Sequence, residues 1–288
     1  MTIPVFELSD VKYCYQGTTA LNGLTLIIPQ GKRLVLLGAN GSGKSTLLRL
    51  LDALYFPEAG SFRAFGEPLD QQRMDDDDYA YRFRRRVGFV FQNPEVQLFN
   101  ASVFDELAFG PLQLRWPAER IRQKVEDTLT ATGLGHLRDR PPHRLSGGEK
   151  KRVALASVLI LEPEVLLLDE PTASLDPESE SRLIETLIDW KGGERTLVMA
   201  THDLDIIEDV ADICVVLQHG QVVAQGTPGE ILADQGLLSR TGLIHAHRHG
   251  HGHGGTHAHP HLHRGAGQAS QSISPFITWK PARPRKPD

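Results

Sequence analysis

Cysteine is nearly absent: the 288 residues hold two, Cys14 and Cys214. Far apart in the chain, they form no CxxC pair. That excludes a disulfide framework and a thiolate zinc site, and fits two core thiols in a reducing compartment. Long apolar runs are absent too. The longest, such as VLLL at 165–168, are strand-sized, against roughly 20 residues needed to cross a bilayer. The opening MTIPVFELSD lacks a basic stretch followed by an apolar one, so no secretory signal is expected. Nor is there excess positive charge: 31 Lys and Arg against 36 Asp and Glu give −5, and no nucleic-acid partner is indicated. These absences place the chain in the cytosol, with any membrane work left to a partner.

What is present is an ordinary globular composition, 40% apolar and 23% charged. Residues 3–9 and 20–28 alternate apolar and polar and read as strands of a meander. RLVLLG (33–38), RVGFVFQ (86–92), VLLLDE (165–170) and TLVMATH (196–202) are short apolar runs, as expected of parallel strands covered on both faces. Helical patterns at 44–51, 117–132, 147–161 and 178–190 separate several of them. The alternation predicts an α/β fold with a mainly parallel sheet. Residues 213–226 read as a hairpin turning at His219-Gly220. Residues 93–162 carry only helical signals and read as a helical subdomain inserted into a domain spanning 1–240. The acidic run Asp75–Asp78 reads as a solvated loop.

Three stretches carry chemistry. Gly38-Ala-Asn-Gly-Ser-Gly-Lys44-Ser45 fits GxxxxGK[ST] between a strand and a helix. Backbone N–H groups of Gly38, Asn40, Gly41, Gly43 and Thr46 can wrap phosphate oxygens at the positive end of the helix. Lys44 would reach the β and γ phosphates, and Ser45 would bind Mg²⁺. Asp169 and Glu170 close a buried strand. Asp169 would support Mg²⁺, directly or through water, and Glu170 would act as general base toward an attacking water. Leu145-Ser146-Gly147-Gly148-Glu149 opens a helix and forms a second anion-binding element. One ATP site needs one loop, so two elements suggest a head-to-tail dimer, each chain capping its partner's ATP through Ser146 and Gly148.

GANGSGKST, LSGGE, VLLLDEPTASLD and His202 after TLVMAT, in this order, resemble the nucleotide-binding subunit of ABC transporters. The resemblance covers residues 5 to about 240 and implies a P-loop NTPase core with an antiparallel meander and a helical subdomain. It implies roles at matching positions. Tyr15 would stack on adenine. Gln92 would touch Mg²⁺ or water and relay the nucleotide state to a membrane partner. Asp176 would contact the second chain, and His202 the γ-phosphate. VFQNPEVQLF (90–99), DELAFGP (105–111) and LSGGEKKRVALASVLI (145–160) are similar to energy-coupling-factor ATPases, and most of all to those of cobalt and nickel importers. In that branch the segment after Gln92 helps to form a groove for a coupling helix of the transmembrane T component. Gln97 and Phe99 are the groove candidates.

After about residue 241 the composition turns to His, Gly, Pro and Ser, too poor in apolar surface to offset its ordering entropy. Residues 241–288 therefore form a tail, expected to be disordered from 245 on when metal-free. Its tract supplies His245, His247, His249, His251, His253, His257, His259, His261 and His263. With an ordinary pKa near 6.5, most would be neutral ligands at pH 7, and nitrogen-only ligation suits Ni²⁺, Cu²⁺, Zn²⁺ and Co²⁺. Phe276 and Trp279, beyond it, sit in what reads as a solvated tail. The expectation is an ATP- and Mg²⁺-dependent ATPase at the cytoplasmic face of the membrane. It would power import of a transition metal, nickel ahead of cobalt, with a T component, a substrate-binding membrane component and a second ATPase chain. A homodimer is expected, since all motifs are intact, and a heterodimer with a paralogue stays open. Vitamin or zinc import with an incidental tail, and a soluble ABC ATPase, are the alternatives.

Overall fold

The computed structural model describes residues 4–189 and 195–244. The expected tail ligands His245 to His263, and Phe276 and Trp279, lie outside the described residues. The chain begins with an antiparallel pair, β1 (Phe6–Tyr15) and β2 (Thr18–Ile28). Strand β1 is longer than the alternation of 3–9 predicts. Asp10 adopts φ 51° and the register shifts between Leu8 and Val11, so a bulge flips the inward face and hides the strand's continuation from a period-2 reading. The extension carries the chain to Tyr15.

Strand β3 (Arg33–Leu37) then leads through the glycine loop into α1 (Lys44–Leu51). Strands β4 (Ala59–Ala64) and β5 (Glu67–Pro68) complete a four-stranded sheet in the order β2-β1-β4-β5. Two helices follow, α2 (Gln71–Met74) and α3 (Asp77–Arg86). The acidic run is therefore solvated as expected, but only Asp75 and Asp76 lie in the turn between the helices, while Asp77 and Asp78 open α3. Asp76 accepts the Tyr79 N–H as N-cap, Asp77 and Asp78 fill the first turn, and Arg84–Arg86 fill the last. Charges placed this way match the helix dipole, which is why the second half of the run is both solvated and helical.

Strand β6 (Val87–Val90) returns to the core. Between residues 93 and 162 lie α4 (Val103–Gln113), α5 (Ala118–Ala131), α6 (Gly147–Leu159) and short 3-10 turns, with no strand. The chain continues through β7 (Val165–Asp169), α7 (Pro177–Asp189), β8 (Thr196–Ala200), α8 (Ile207–Val210), β9 (Ile213–Gln218) and β10 (Gln221–Gly226). Helices α9 (Pro228–Ala233) and α10 (Gln235–Arg240) close the described part. The hairpin β9–β10 turns at His219-Gly220, both at positive φ, the conformation a two-residue turn requires.

The second sheet runs β10-β9-β3-β8-β7-β6, parallel throughout except for the β9–β10 pair. Alternate residues feed two cores. Val35, Leu37, Leu166, Leu168 and Met199 join the core with α4, α5 and α6. Leu34, Leu36, Val165, Leu167 and Val198 face α1 and the antiparallel sheet. Burial on both faces explains the unbroken apolar run VLLL. The C-terminal ends of β3 and β7, where α/β sheets bind ligands, carry the glycine loop and the Asp169-Glu170 pair.

Candidate nucleotide site

One cleft, of roughly 360 Å³, opens at these strand ends. It is lined by the loop from Asn40 to Thr46, by Tyr15 and Thr18–Ala20, and by Gln92, Glu170 and His202. Two of the loop's glycines, Gly38 and Gly43, leave no room for a side chain. Gly43 sits at φ 105°, where a Cβ would lie 2.7 Å from the Ala20 carbonyl oxygen, and a Cβ on Gly38 would collide with the Leu217 carbonyl. Helix α1 starts at Lys44, so its unpaired N–H groups and dipole point into the cleft.

Lys44 is buried, and its Nζ donates to the Gly38 carbonyl at 2.7 Å and the Ala39 carbonyl at 3.3 Å. Burial lowers its pKa, opposed by the charges of Glu170, with Oε1 at 3.9 Å, and Asp169. Polyphosphate arriving in the cleft would take over this ammonium from the two carbonyls.

Ser45 donates through Oγ to Asp169 Oδ1 at 2.9 Å. Asp169 is buried, and desolvation raises its pKa against the Ser45 hydrogen bond and the Arg49 charge. A desolvated carboxylate beside a hydroxyl, with Gln92 on the same cleft, is an oxygen donor set that suits a hard divalent cation such as Mg²⁺.

Glu170 follows directly but turns another way, because its φ of 45° takes it out of strand geometry. Its Oε2 lies 2.9 Å from His202 Nδ1. The two are unequally placed: the Glu170 side chain is 8% exposed and the His202 side chain 62%. A buried carboxylate thus faces the cleft while its histidine partner stands at the mouth.

Tyr15 is half-buried. Its ring meets Tyr13 and Tyr55 edge-on at 4.9 and 5.5 Å, and its hydroxyl accepts from Thr46 Oγ1 at 3.5 Å. These contacts fix an aromatic ring at the edge of the phosphate loop.

Ser146, Gly148 and Asp176 do not line the cleft. Ser146 caps α6 in a reciprocal box with Glu149: Ser146 N–H donates to Glu149 Oε2 at 2.7 Å, and Glu149 N–H to Ser146 Oγ at 3.3 Å. Asp176 accepts the Ser179 N–H at 3.0 Å, and hydrogen bonding from the Ser179 side chain first, then from this N–H, holds its carboxylate below the usual range. Gly148 lies against that same Ser179, so the second anion element and the Asp176 turn are neighbours on another surface.

Gln97 is a correction. It was expected in a partner groove, yet its amide is spent inside the protein. Oε1 accepts the Phe91 N–H at 3.2 Å, and Nε2 donates to the Ala154 carbonyl at 2.8 Å and Ser157 Oγ at 3.2 Å. An amide can satisfy a strand end and a helix at once, and turned out into a groove it would leave the Phe91 N–H without this acceptor, while the Ala154 carbonyl would keep the Ser157 hydroxyl. Phe99 is 65% exposed and stands edge-on to Phe109 at 4.9 Å; Val96 and Leu112, within a few residues of them in sequence, are exposed too.

Two buried charged residues next to these elements are not singled out by the sequence reading. Glu106 is buried and accepts from the N–H groups of Phe99 and Asn100 and from Asn100 Nδ2, fixing the segment that presents Phe99. Lys151 is buried under the Glu170 turn. Its spacing with Ala154, Leu155 and Val158 marks the inward face of α6, where a lysine is out of place.

Comparison with known proteins agrees with this geometry. A family model described as ABC transporter matches residues 21–173. The chain is 61% identical over 244 residues, 84% of its length and 96% of the relative's, to the nickel import ATP-binding protein NikO of Rhodobacter capsulatus. It is 40% identical over 83% of its length, and 76% of the relative's, to the energy-coupling factor transporter ATP-binding protein EcfA of Methanothermobacter thermautotrophicus. Among solved structures, CbiO1 of Clostridium perfringens, part of the ABC transporter complex CbiONQ, matches with TM-score 0.71 and 38% identity, covering 83% of this chain and 95% of that one. The dimeric post-hydrolysis cassette MJ0796, bound to ADP and Pi, matches with TM-score 0.70 and 25% identity, covering 77% of this chain and 98% of that one. The chain belongs to the ABC transporter family, as an ATP-hydrolysing subunit of the energy-coupling-factor branch.

Proposed function

We propose that two copies of this chain bind two ATP molecules head to tail and drive import of a transition-metal cation, nickel ahead of cobalt. The observation that carries the dimer is the separation of the two anion elements. The cleft holds the glycine loop, Glu170 and His202, while Ser146 and Gly148 lie outside it. A second chain can supply the missing cap, and the similar cassette MJ0796 is dimeric.

In this reading the N–H groups of the glycine loop and Lys44 hold the β and γ phosphates. Tyr15 stacks on adenine. Ser45, Asp169 and Gln92 hold Mg²⁺, which would neutralise charge on the phosphate oxygens. Glu170 orients a water and takes its proton. His202 meets the γ-phosphate and keeps the Glu170 carboxylate aimed. ATP favours the closed dimer and its hydrolysis reopens it, the differential binding any such switch needs.

Val96, Phe99, Phe109 and Leu112 are exposed apolar side chains in the segment that follows Gln92, and a coupling helix of a T component would dock on them. The complex would sit at the cytoplasmic face of the membrane, with a substrate-binding membrane component. The cargo rests on NikO, a nickel import protein by name, and on the histidine tract, whose imidazoles would accept ions as they arrive. Cells carrying the whole transporter should accumulate nickel with the wild-type chain and not with Glu170→Gln, when nickel, cobalt and zinc are assayed together. Accumulation of none of the three would overturn the metal reading and leave a vitamin as the cargo to test.

A further inference from the structure

Helix α6 is N-capped by Ser146, the residue that caps the partner's nucleotide in the dimer proposed above. Just over one turn later it buries Lys151. The Lys151 Nζ donates to the carbonyls of Glu170, at 3.3 Å, Pro171, at 3.0 Å, and Ala173. All three protons of the ammonium are thereby used on the turn that leaves β7. No salt bridge engages Lys151 among the described residues: three backbone carbonyls hold its ammonium, burial lowers its pKa, and the Glu170 charge opposes that shift from beyond ion-pair distance.

That turn holds a conformation of its own making. Glu170 is a non-glycine residue at φ 45°, which persists only where the surroundings over-determine it. On one side its N–H donates to the Ala200 carbonyl of β8 at 2.9 Å. On the other, its carbonyl faces Lys151. The side chain between these two anchors is the carboxylate aimed into the cleft.

We propose that Lys151 is a positioning residue for hydrolysis: it holds the Glu170 turn in its catalytic geometry and ties it rigidly to the helix whose first residues cap the partner's ATP. The same helix would thus touch one nucleotide and set the general base of the other. A shift of α6 on closure would reach Glu170 through one buried ammonium, with no intervening flexible segment. This inference rests on Glu170 as the base and on the head-to-tail dimer.

The test uses the purified full chain with Mg²⁺ and ATP, comparing wild type with Lys151→Met, Lys151→Gln, Lys151→Arg and Glu170→Gln. The readouts are kcat, KM for ATP, thermal unfolding, and dimer formation by gel filtration in a Glu170→Gln background. Misplacing a reacting group by about 1 Å costs on the order of 10²-fold in rate. Lys151→Met should therefore lose kcat by about that factor, with KM within about threefold, and Lys151→Arg should recover most of it. The Glu170→Gln/Lys151→Met chain should still form the ATP-dependent dimer, because the cap residues are intact. If Lys151→Met fails to fold, Lys151→Gln carries the same expectation. A kcat unchanged in Lys151→Met overturns the proposal. So does loss of the dimer in the double variant, which would make Lys151 a support of the cap alone. If Glu170→Gln itself keeps wild-type kcat, the underlying reading of the base has failed instead.

Discussion

At the scale of single residues, burial sets the chemistry. Asp52, at the C-terminal end of α1, is pushed up to about 7 by desolvation, with the Arg84 charge opposing it. From an ordinary value of 3.8, the unfolded chain gives up this proton as pH rises while the folded chain keeps it. The folded state thus binds more protons between about pH 4 and 7. Stability from this group is full below the unfolded pKa and is lost as pH climbs to the folded one, by roughly 3–5 kcal/mol in all. Asp52→Asn should therefore stabilise the protein at pH 8 and change little at pH 4, in urea unfolding at both. An equal effect at the two pH values would remove the titration from the explanation. Burial acts on a thiol too. Cys214 is pushed up to about 12 by desolvation and is fully buried, whereas Cys14 is partly exposed on β1. Iodoacetamide at pH 8 should add one group to the native chain, at Cys14, and two to the urea-unfolded chain, read by intact mass and peptide mapping. The phosphate loop and the Asp169-Glu170 pair were legible at this scale because their spacing is short and local. Lys151 was not, because its partners lie 19 to 22 positions away, on a turn no periodicity marks.

At the scale of elements, neighbouring side chains divide between holding the protein together and facing a partner. Gln97 and Phe99 are two positions apart and were expected to share a role. The Gln97 amide joins the end of β6 to α6, and removing it leaves the Phe91 N–H without its acceptor. Gln97→Leu should cost about 1–3 kcal/mol of stability. Phe99→Ala, at a residue 65% exposed, should change stability by less than about 0.5 kcal/mol yet weaken co-purification with the membrane component. Urea unfolding and pull-down on the same two variants separate these outcomes, and a Phe99→Ala chain as unstable as Gln97→Leu would make Phe99 a core residue. The sequence could place the parallel strands and the longer helices, because apolar runs and 3.6-residue spacing report burial directly. It could not place α2, α3, β4 or β5, where polar residues dominate and caps, not apolar spacing, set the ends. The bulge at Asp10 hid half of β1 for the same reason: a single inserted residue breaks the period that a sequence reading follows.

At the scale of the whole molecule, the arrangement of surfaces matters more than any one residue. The glycine loop and the Ser146 cap lie apart on one chain, so a complete site in the proposed dimer takes the loop from one chain and the cap from the other. Two-fold symmetry then makes two such sites. A chain with Lys44→Ala has an intact cap and a broken loop; a chain with Ser146→Arg has the reverse. Each alone should form only broken sites. Mixed in equal amounts, half of the dimers are hybrids. In a hybrid, one site combines both defects, and the other combines the intact loop with the intact cap. With random pairing and independent sites, ATPase activity should recover to about a quarter of the wild-type level, where neither variant alone is active. If each site were complete within a single chain, mixing would restore nothing, and the head-to-tail dimer would be the wrong assembly for this protein. Recovery also measures how far the sites depend on each other, since a strict requirement for two working sites would hold the hybrid at the level of its parents. The Glu170→Gln chain separates these two cases: an ATP-dependent dimer in gel filtration, together with no recovery on mixing, assigns the silence to coupling between the sites and not to their location.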